Sequence, residues 1–290
     1  MAAVTAPLFA SPSLHRPATL SVVVRIAHSD EWDDVDRALE SLWRQTVQPD
    51  HVVVVVDHDD HLLEWAADAW STPGTAGDMR VDVIANTRSP GHAGARDTAI
   101  QWAWGEIVAF LARDAVADPH WVETLLQDYA DTDVAGVGGG ALADWGTASP
   151  PSWLPAAFGW AADCAHPRLP GDPAIGGDFT AANLSFRREV LVEVGGFAAA
   201  RGVDGLCRRV RERFPRARLR FDDDLEVFQR MDDDERTFAH FRRRCFAEGR
   251  ADGARHRAGS AIDRGPGRAF TATSGTAVIE GLRDGVAGRP

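Results

Sequence analysis

Two hydrophobic periods alternate along the first half of the chain. Continuous apolar runs such as LSVVVRI and five consecutive valines are typical of strands covered on both faces. Between them, apolar residues recur every three or four positions, as on one face of a helix. The predicted strands are Leu20–Ile26, Val52–Val56, Val81–Ala85 and Ile107–Leu111. Helices are predicted from an N-cap at Ser29 or Asp30, from about Gly94 to Trp104 and from near Pro119.

Strands that alternate with helices predict right-handed βαβ units and a parallel sheet with helices on both faces. Ligands of such sheets bind at the carboxyl ends of the strands. The polar residues that follow the predicted strands are His28, Asp57, His58, Arg113 and Asp114. We therefore expect the functional site at this edge of the sheet.

The second half of the chain is less regular. Between Gly138 and Gly177 it is rich in glycine, proline and tryptophan, and we interpret this stretch as a long functional insertion. Regular structure is expected again at Ala182–Gly196 and Asp204–Phe214, with a last helix at Glu235–Gly249. Residues 1–18 and 251–290 are interpreted as flexible tails.

Charge and composition exclude several classes of protein. The formal net charge of -12 argues against nucleic acid as a partner, because phosphate binding needs a basic surface. The chain contains no lysine, which excludes P-loop and Schiff-base chemistry and leaves arginine to hold phosphates. Three widely spaced cysteines indicate neither a disulfide framework nor a zinc site, so we expect a cytoplasmic protein. No apolar run is long enough to cross a bilayer, although a peripheral membrane contact stays open.

Five segments follow one another in an informative order. They are ALESLWRQT from Ala38, the valine strand ending in Asp57, NTRSPGHAGAR up to Arg96, GEIVAFLARDAVADPHW from Gly105 and AANLSFRREVLVEVGGF from Ala181. In this order, and with RRRCFAEGR near the C-terminus, they resemble the family 2 inverting glycosyltransferases of the actinobacterial type. Single motifs of this kind are weak signals, whereas their order over most of the chain from Leu20 onward is specific.

The resemblance implies a GT-A fold, an α/β architecture with a mostly parallel Rossmann-like sheet, helices on both faces and a C-terminal helical extension. It implies one domain over residues 19–250, with a nucleotide-binding half at 19–118 and an acceptor-binding half at 119–250. The implied reaction displaces a nucleoside diphosphate from the anomeric carbon while a carboxylate takes the acceptor's proton. Positive charge must stabilise the leaving diphosphate, and a Mg²⁺ or Mn²⁺ ion held by an Asp-x-Asp motif usually supplies it.

Individual residues receive roles from the same resemblance. Asp57 would contact the base or ribose, Arg96 would help to hold the donor, and Asp204 would be the general base. The residues expected on the acceptor side are Asp178, Asn183 and Trp160.

Each of these residues also has a purely structural interpretation. Asp57 can cap a turn, Arg96 can lie on an exposed helix face, and Asp204 can be a helix N-cap. The structural alternatives on the acceptor side are turn chemistry for Asp178 and Asn183 and core packing for Trp160.

The acidic motif departs from the family pattern at Ala112-Arg113-Asp114, where only Asp114 keeps a carboxylate. Many relatives carry a histidine near Gln229, a candidate metal ligand in that family, and an acidic residue at the position of Val203. A Mg²⁺ or Mn²⁺ site at Asp114 is therefore doubtful, and Arg113 or Arg230 can replace the metal at the diphosphate. For Arg113 the structural alternative is exposure to solvent.

The leading hypothesis is a glycosyltransferase that uses a UDP- or dTDP-sugar and a glycan, lipid carrier or secondary metabolite as acceptor. The alternative is a catalytically impaired homologue that binds nucleotide sugar or serves as a scaffold. A Rossmann-type dehydrogenase is disfavoured because no G-x-G-x-x-G turn follows the first strand.

Overall fold

The structure is a computed structural model that describes residues 18–72, 79–146, 151, 153, 179–200 and 202–246. The first half alternates strand and helix as predicted. Its elements are β1 (Leu20–Ile26), α1 (Trp32–Trp43), β2 (His51–Val56), α2 (Asp60–Trp70), β3 (Arg80–Ala85), α3 (His92–Trp102) and β4 (Ile107–Leu111). A short 3₁₀ turn, Ser29–Glu31, precedes α1 and has His28 rather than Ser29 or Asp30 as its N-cap.

The remaining elements follow in a less regular order. They are β5 (Ala115–Ala117), α4 (Trp121–Asp128), β6 (Val134–Asp144), β7 (Asn183–Arg187), α5 (Arg188–Val194), α6 (Gly196–Ala200), α7 (Val203–Arg213) and β8 (Arg218–Arg230). Residues 238–246 are helical and fall within the last predicted helix.

The described strands form one sheet in the order β3-β2-β1-β4-β7-β6-β8-β5. The pairs β3–β2, β2–β1 and β1–β4 are parallel, whereas β4–β7, β7–β6 and β8–β5 are antiparallel. The predicted parallel sheet is thus confirmed for its first four strands. The antiparallel strands then extend the same sheet, which gives the mixed α/β architecture of the GT-A fold.

Burial on both faces explains the continuous apolar strands. Val23, Val53 and Val55 point to one face, where they pack with Ala95 and Ala99 of α3 in the main hydrophobic core. The intervening residues of β1 and β2 are buried as well, and α1 and α2 contact these strands. A strand covered on both sides has no polar face, and the sequence accordingly shows no alternation there.

The prediction of an irregular insertion from Gly138 onward is wrong for its first residues, since the regular strand β6 continues through Asp144. The strand is rich in glycine because its neighbours come very close. A Cβ on Gly139 would overlap the carbonyl oxygen of Leu225 on β8 and the side chain of Asn183 on β7. Side chains that would reveal a strand by alternation are therefore sterically excluded there.

The acidic run Asp222 to Asp224 lies within the 13-residue strand β8. The second half of that strand alternates clearly, with Leu225, Val227 and Gln229 buried. This alternation of buried and exposed residues indicates a strand, whereas the acidic run before it shows no such pattern.

The packing divides the chain into two compact units. The first comprises Met1–Leu142 and Leu169–Gln229, and the second Ala143–Arg168 and Arg230–Pro290. In the second unit, Trp153 contacts Phe238 and Phe241 edge-on, with ring centroids 5.5 and 5.6 Å away. None of the helices in the described part combines the length and apolar character that crossing a membrane needs.

Candidate active site

The carboxyl ends of β1, β2 and β4 lie side by side, because these three strands are parallel neighbours. Asp57 directly follows β2, and Arg113 and Asp114 come just after β4. Both predicted groups therefore belong to one edge of the sheet. His92, the first residue of α3, lies within electrostatic range of Arg113 and also of Arg25 and Arg96.

Both oxygens of the Asp57 carboxylate accept hydrogen bonds. Its Oδ2 accepts hydrogen bonds from Arg25 Nε and Nη2 at 3.0 and 2.7 Å and from the Gly91 backbone N–H at 2.8 Å. Its Oδ1 accepts one from Asn86 Nδ2 at 2.7 Å. Burial alone would raise the pKa of Asp57, but the bonds from Asn86, Arg25 and Gly91 outweigh it and lower the pKa. Asp57 thus holds the loop that leads into α3.

Arg25 and Asn86 are parts of this site that the sequence analysis did not assign to it. Arg25 is level with Val55 of β2, so Asp57 lies two residues further on the same face. Asn86 accepts on its Oδ1 a hydrogen bond of 2.8 Å from Thr98, which connects Asp57 to the body of α3. A charged residue inside an otherwise apolar strand requires a partner, and this signal could have identified Arg25.

Arg96 occupies an unusual environment for a guanidinium. Its Nη2 donates to the Ala181 carbonyl oxygen at 2.6 Å, and its Cζ lies over the rings of Phe110 and Phe197, 5.6 and 5.0 Å from their centroids. Among the described residues, no carboxylate forms an ion pair with it. Burial, with repulsion from Arg25, lowers the pKa of Arg96 to about 10. The side chain is therefore half-buried rather than fully exposed on a helix face.

Arg113 is also partly buried, so the interpretation of a residue pointing freely to solvent does not describe it. Its Nε lies 3.1 Å from Oε1 of Glu31, in the turn after β1. The other oxygen of Glu31 accepts a hydrogen bond of 2.7 Å from the Ala27 backbone N–H. The Nε of Arg113 is buried without a well-directed hydrogen-bond acceptor, so the guanidinium retains capacity for a further ligand.

His92 lies beside these arginines at the start of α3. Burial lowers the pKa of His92, and the charges of Arg25, Arg96 and Arg113 lower it further. The helix N-terminus adds a partial positive charge at the same place. The cluster of Arg25, His92, Arg96 and Arg113, called the arginine cluster below, is suited to binding an anion.

Asp114 is paired with an amide rather than with a second carboxylate. The antiparallel register places Ala115 of β5 opposite Gln229 of β8, and Gln229 Nε2 donates to Asp114 Oδ2 at 3.2 Å. Burial raises the pKa of Asp114, while the bond from Gln229 and the charge of Arg113 oppose this shift.

These residues do not fit a divalent cation held by the protein. Mg²⁺ prefers several oxygen ligands, yet Asp114 offers one carboxylate that already accepts an amide hydrogen. Across the part of the chain described here, no group of three His, Cys, Asp or Glu side chains could hold a metal ion. Arg113, next to Asp114 in the chain, adds a positive charge that repels a second cation.

Asn183 lies inside the sheet rather than at an open surface. Its side chain is buried, its Oδ1 accepts from Trp121 Nε1 at 2.9 Å, and its Nδ2 donates to two backbone carbonyls. These bonds leave no exposed surface on Asn183, so an acceptor could contact it only after they rearrange. The other predicted acceptor-side residues, Asp178 and Trp160, lie outside the described residues.

Asp204 lies in the first turn of α7, where its side chain is exposed, and Val203 before it packs against the main core. Its assignment as general base stays a prediction. Arg230, the other proposed replacement for a metal, donates from Nη2 to Asp232 Oδ1 at 2.9 Å.

The mixed sheet, with four parallel strands followed by antiparallel ones, has the architecture of the GT-A class of α/β proteins. The profile of the family described as Glycosyl transferase family 2 matches residues 21–201. The chain therefore belongs to glycosyl transferase family 2.

Individual relatives are more distant. A curated glucosyl-dolichyl phosphate glucuronosyltransferase of Haloferax volcanii is 29% identical over 188 residues, which cover 64% of this chain and 58% of the relative. The chain thus spans less than two thirds of that protein. Among solved structures, S. aureus TarS 1-349 matches with a TM-score of 0.51 at 16% identity, over 81% of this chain and 74% of TarS. Its complex with UDP matches with a TM-score of 0.50 at 15% identity, over 79% and 65%. At such identities the structural matches support the fold alone.

Proposed function

We propose that this chain transfers a sugar from a UDP- or dTDP-linked donor to an acceptor hydroxyl with inversion at the anomeric carbon. The acceptor is a glycan, a lipid carrier or a secondary metabolite. The observation that carries the proposal is Arg96, a desolvated guanidinium without a carboxylate partner among the described residues. It lies at the edge where sheets of this class bind nucleotides, and a diphosphate supplies the missing negative charge.

Each residue of the site has a defined part in the proposed reaction. The loop held by Asp57 contacts the nucleoside, and Arg96 and Arg113 contact the diphosphate. Asp114 faces the donor from the turn after β4. Asp204 takes the proton of the acceptor hydroxyl. The oxygen of that hydroxyl forms a bond to the anomeric carbon while the bond from the anomeric carbon to the diphosphate oxygen breaks.

Names of the similar proteins suggest which probes to use first. The curated relative is named as a glucuronosyltransferase, and one of the similar structures contains UDP. We therefore choose UDP as the first ligand, with UDP-glucuronate and UDP-glucose as the first donors and dTDP-sugars as the comparison.

The test combines calorimetry of nucleotide binding with a transfer assay on glycan, lipid-phosphate and small-molecule acceptors. We expect binding and transfer, and Asp204→Asn should lower kcat by about 10² or more while UDP binding is kept. Asp68→Asn, which removes an exposed carboxylate of α2, is the matched control. Absence of both binding and transfer contradicts the proposal.

Binding without transfer favours a second candidate, a non-catalytic homologue that holds a nucleotide sugar for a partner enzyme. The amide of Gln229 donates a hydrogen bond to the Asp114 carboxylate, and this contact is the observation that favours the second candidate. Transfer by the purified chain alone would exclude this candidate.

A further inference from the structure

We infer that the arginine cluster, acting through Arg96 and Arg113, supplies the positive charge that stabilises the leaving diphosphate, in place of a divalent cation held by the protein. This inference rests on the proposed function and specifies the means of diphosphate recognition. The residues around Asp114 do not provide the several oxygen ligands that such a cation needs.

Carboxylates pair with two of the three guanidinium groups of the arginine cluster. Arg25 is neutralised by Asp57 at 2.7 Å and Arg113 by Glu31 at 3.1 Å. Arg96 has no such partner among the described residues. Asp114 also interacts with Arg113, so Arg96 is the guanidinium of the cluster that no described carboxylate pairs with, and it lies near the positive end of α3. An anion that binds there meets uncompensated positive charge before any metal ion is added.

The guanidinium of Arg96 is partly desolvated. Arg96 packs over the rings of Phe110 and Phe197 and donates to the Ala181 carbonyl oxygen. The rings displace water from the guanidinium, and polar partners replace only part of that water. The lowered pKa of Arg96 reflects this desolvation. A desolvated cation interacts more strongly with an incoming anion than a hydrated one does, because little solvent has to be displaced.

Arg113 provides a second guanidinium, on the β4 side of the site. Arg113 directly precedes Asp114, so its guanidinium extends from the same turn where a cation would have to bind. Its Nε is buried and lacks a well-directed acceptor, although Glu31 lies nearby. A guanidinium has five N–H donors in a planar fork, so Arg113 can keep Glu31 and still bind a phosphate oxygen. Arg96 and Arg113 thus approach the diphosphate from two different elements, α3 and the turn after β4.

The experiment measures UDP binding by calorimetry on the full chain, once with EDTA and once with an excess of Mn²⁺. We expect the two dissociation constants to agree within about threefold, a small free-energy difference. Mn²⁺ binding is followed separately by electron paramagnetic resonance without nucleotide, where we expect no bound ion. Ala112→Asp adds a second carboxylate and should create Mn²⁺ binding in the same measurement.

Arginine variants test the other half of the inference. Arg96→Gln and Arg113→Gln should each weaken UDP binding in EDTA by about tenfold or more, since charge-assisted hydrogen bonds are lost. Arg96→Lys and Arg113→Lys keep the charge but lose the fork, so intermediate losses are expected. Arg44→Gln makes the same charge change on an exposed residue at the end of α1 and should bind UDP normally. Thermal melting identifies any variant that fails to fold, in which case the lysine variant at that position decides.

UDP binding that requires Mn²⁺ and is unaffected by the glutamine variants overturns the inference and leaves the proposed function intact. No UDP binding under either condition contradicts both.

Discussion

The indole Nε1 of Trp121 donates a hydrogen bond of 2.9 Å to Oδ1 of Asn183, 62 residues further along the chain. The amide nitrogen of Asn183 donates to the carbonyl oxygens of Gly140 at 2.9 Å and Leu225 at 2.8 Å. One buried amide thus connects α4 with the neighbouring strands β7, β6 and β8. This explains why an asparagine, rather than an apolar residue, begins β7.

Asn183→Leu should strongly destabilise the protein. The substitution keeps most of the volume but leaves one indole donor and two carbonyl acceptors without partners. We expect the free energy of unfolding to fall by about 3 kcal/mol or more, the sum of several desolvation costs. Urea denaturation measures the loss. Gln127→Leu, at an exposed position of α4, is the control, and a loss no larger than that of the control would contradict the structural role of Asn183.

Gly196→Ala should destabilise more than Gly195→Ala. Both glycines have positive φ, 70° and 79°, so either alanine is strained by about 1 kcal/mol. At Gly196 alone the new Cβ would overlap Oδ1 of Asp97. That carboxylate cannot easily move, because it accepts from the backbone N–H groups of Phe197 at 2.7 Å and Ala198 at 3.0 Å.

We therefore expect an additional loss of about 1 to 3 kcal/mol for Gly196→Ala, comparable to overpacking of a core. Urea denaturation of both variants under one set of conditions provides the comparison. Equal losses would show that the backbone conformation, and not the Asp97 contact, requires glycine at this position.

The fold could be predicted where local pattern alone determines structure. Strands β1, β2 and β4 are continuous apolar runs, and α1 has a clear apolar stripe, so their bounds follow closely from the sequence. The first part of β8 could not be predicted, because its acidic run conceals the alternation that shows only from Leu225 onward. Its place in the sheet depends on pairing with distant strands.

The site shows the same division between local and distant information. Asp57, Arg113 and Asp114 could be located because each directly follows a predicted strand. The Arg25–Asp57 pair depends on the register between β1 and β2, and the Gln229–Asp114 contact depends on that between β5 and β8. Register follows from side-chain packing over the whole sheet, which a single sequence does not display.

Asp128→Asn should change how stability depends on pH. Asp128 is buried beside Asp222, and Arg220 contacts both carboxylates, at 3.0 and 3.4 Å. Burial and the charge of Asp222 raise the pKa of Asp128 from 3.8 to about 7. The folded protein therefore retains a proton that the unfolded chain releases, and stability contributed by Asp128 falls as pH rises from about 4 to about 7.

Asparagine cannot ionise, so the variant should lose this decline. Relative to the wild type, its free energy of unfolding should improve by about 1 to 3 kcal/mol between pH 4 and pH 8, as expected for a carboxyl group that keeps its proton in the folded protein over part of this range. Urea denaturation across this range measures the difference. Asp133→Asn removes an exposed carboxylate nearby and is the control. Parallel pH profiles for the wild type and Asp128→Asn would contradict the prediction.

The Arg25–Asp57 pair should show the opposite dependence on pH. The pKa of Asp57 is lowered in the folded protein, so its stabilising contribution is complete above the ordinary value of 3.8 and is lost as pH falls through the lower folded value. Asp57→Asn should cost about 3 kcal/mol at pH 7, since it leaves the largely buried Arg25 without its counter-charge. The deficit should shrink below about pH 4, where the carboxyl of the unfolded wild-type chain takes up a proton while the folded carboxylate is still ionised.

A double-mutant cycle separates this ion pair from the other bonds of Asp57. Arg25→Met, Asp57→Asn and the double variant are compared at pH 7 by urea denaturation. We expect a coupling energy of about 1 to 3 kcal/mol, in the range found for contacting residues in one network. The part of the Asp57→Asn loss that remains in the Arg25→Met background then measures the bonds to Asn86 and Gly91. A coupling energy near zero would show that Asp57 is retained for the loop before α3 alone and that Arg25 is free to interact with the donor.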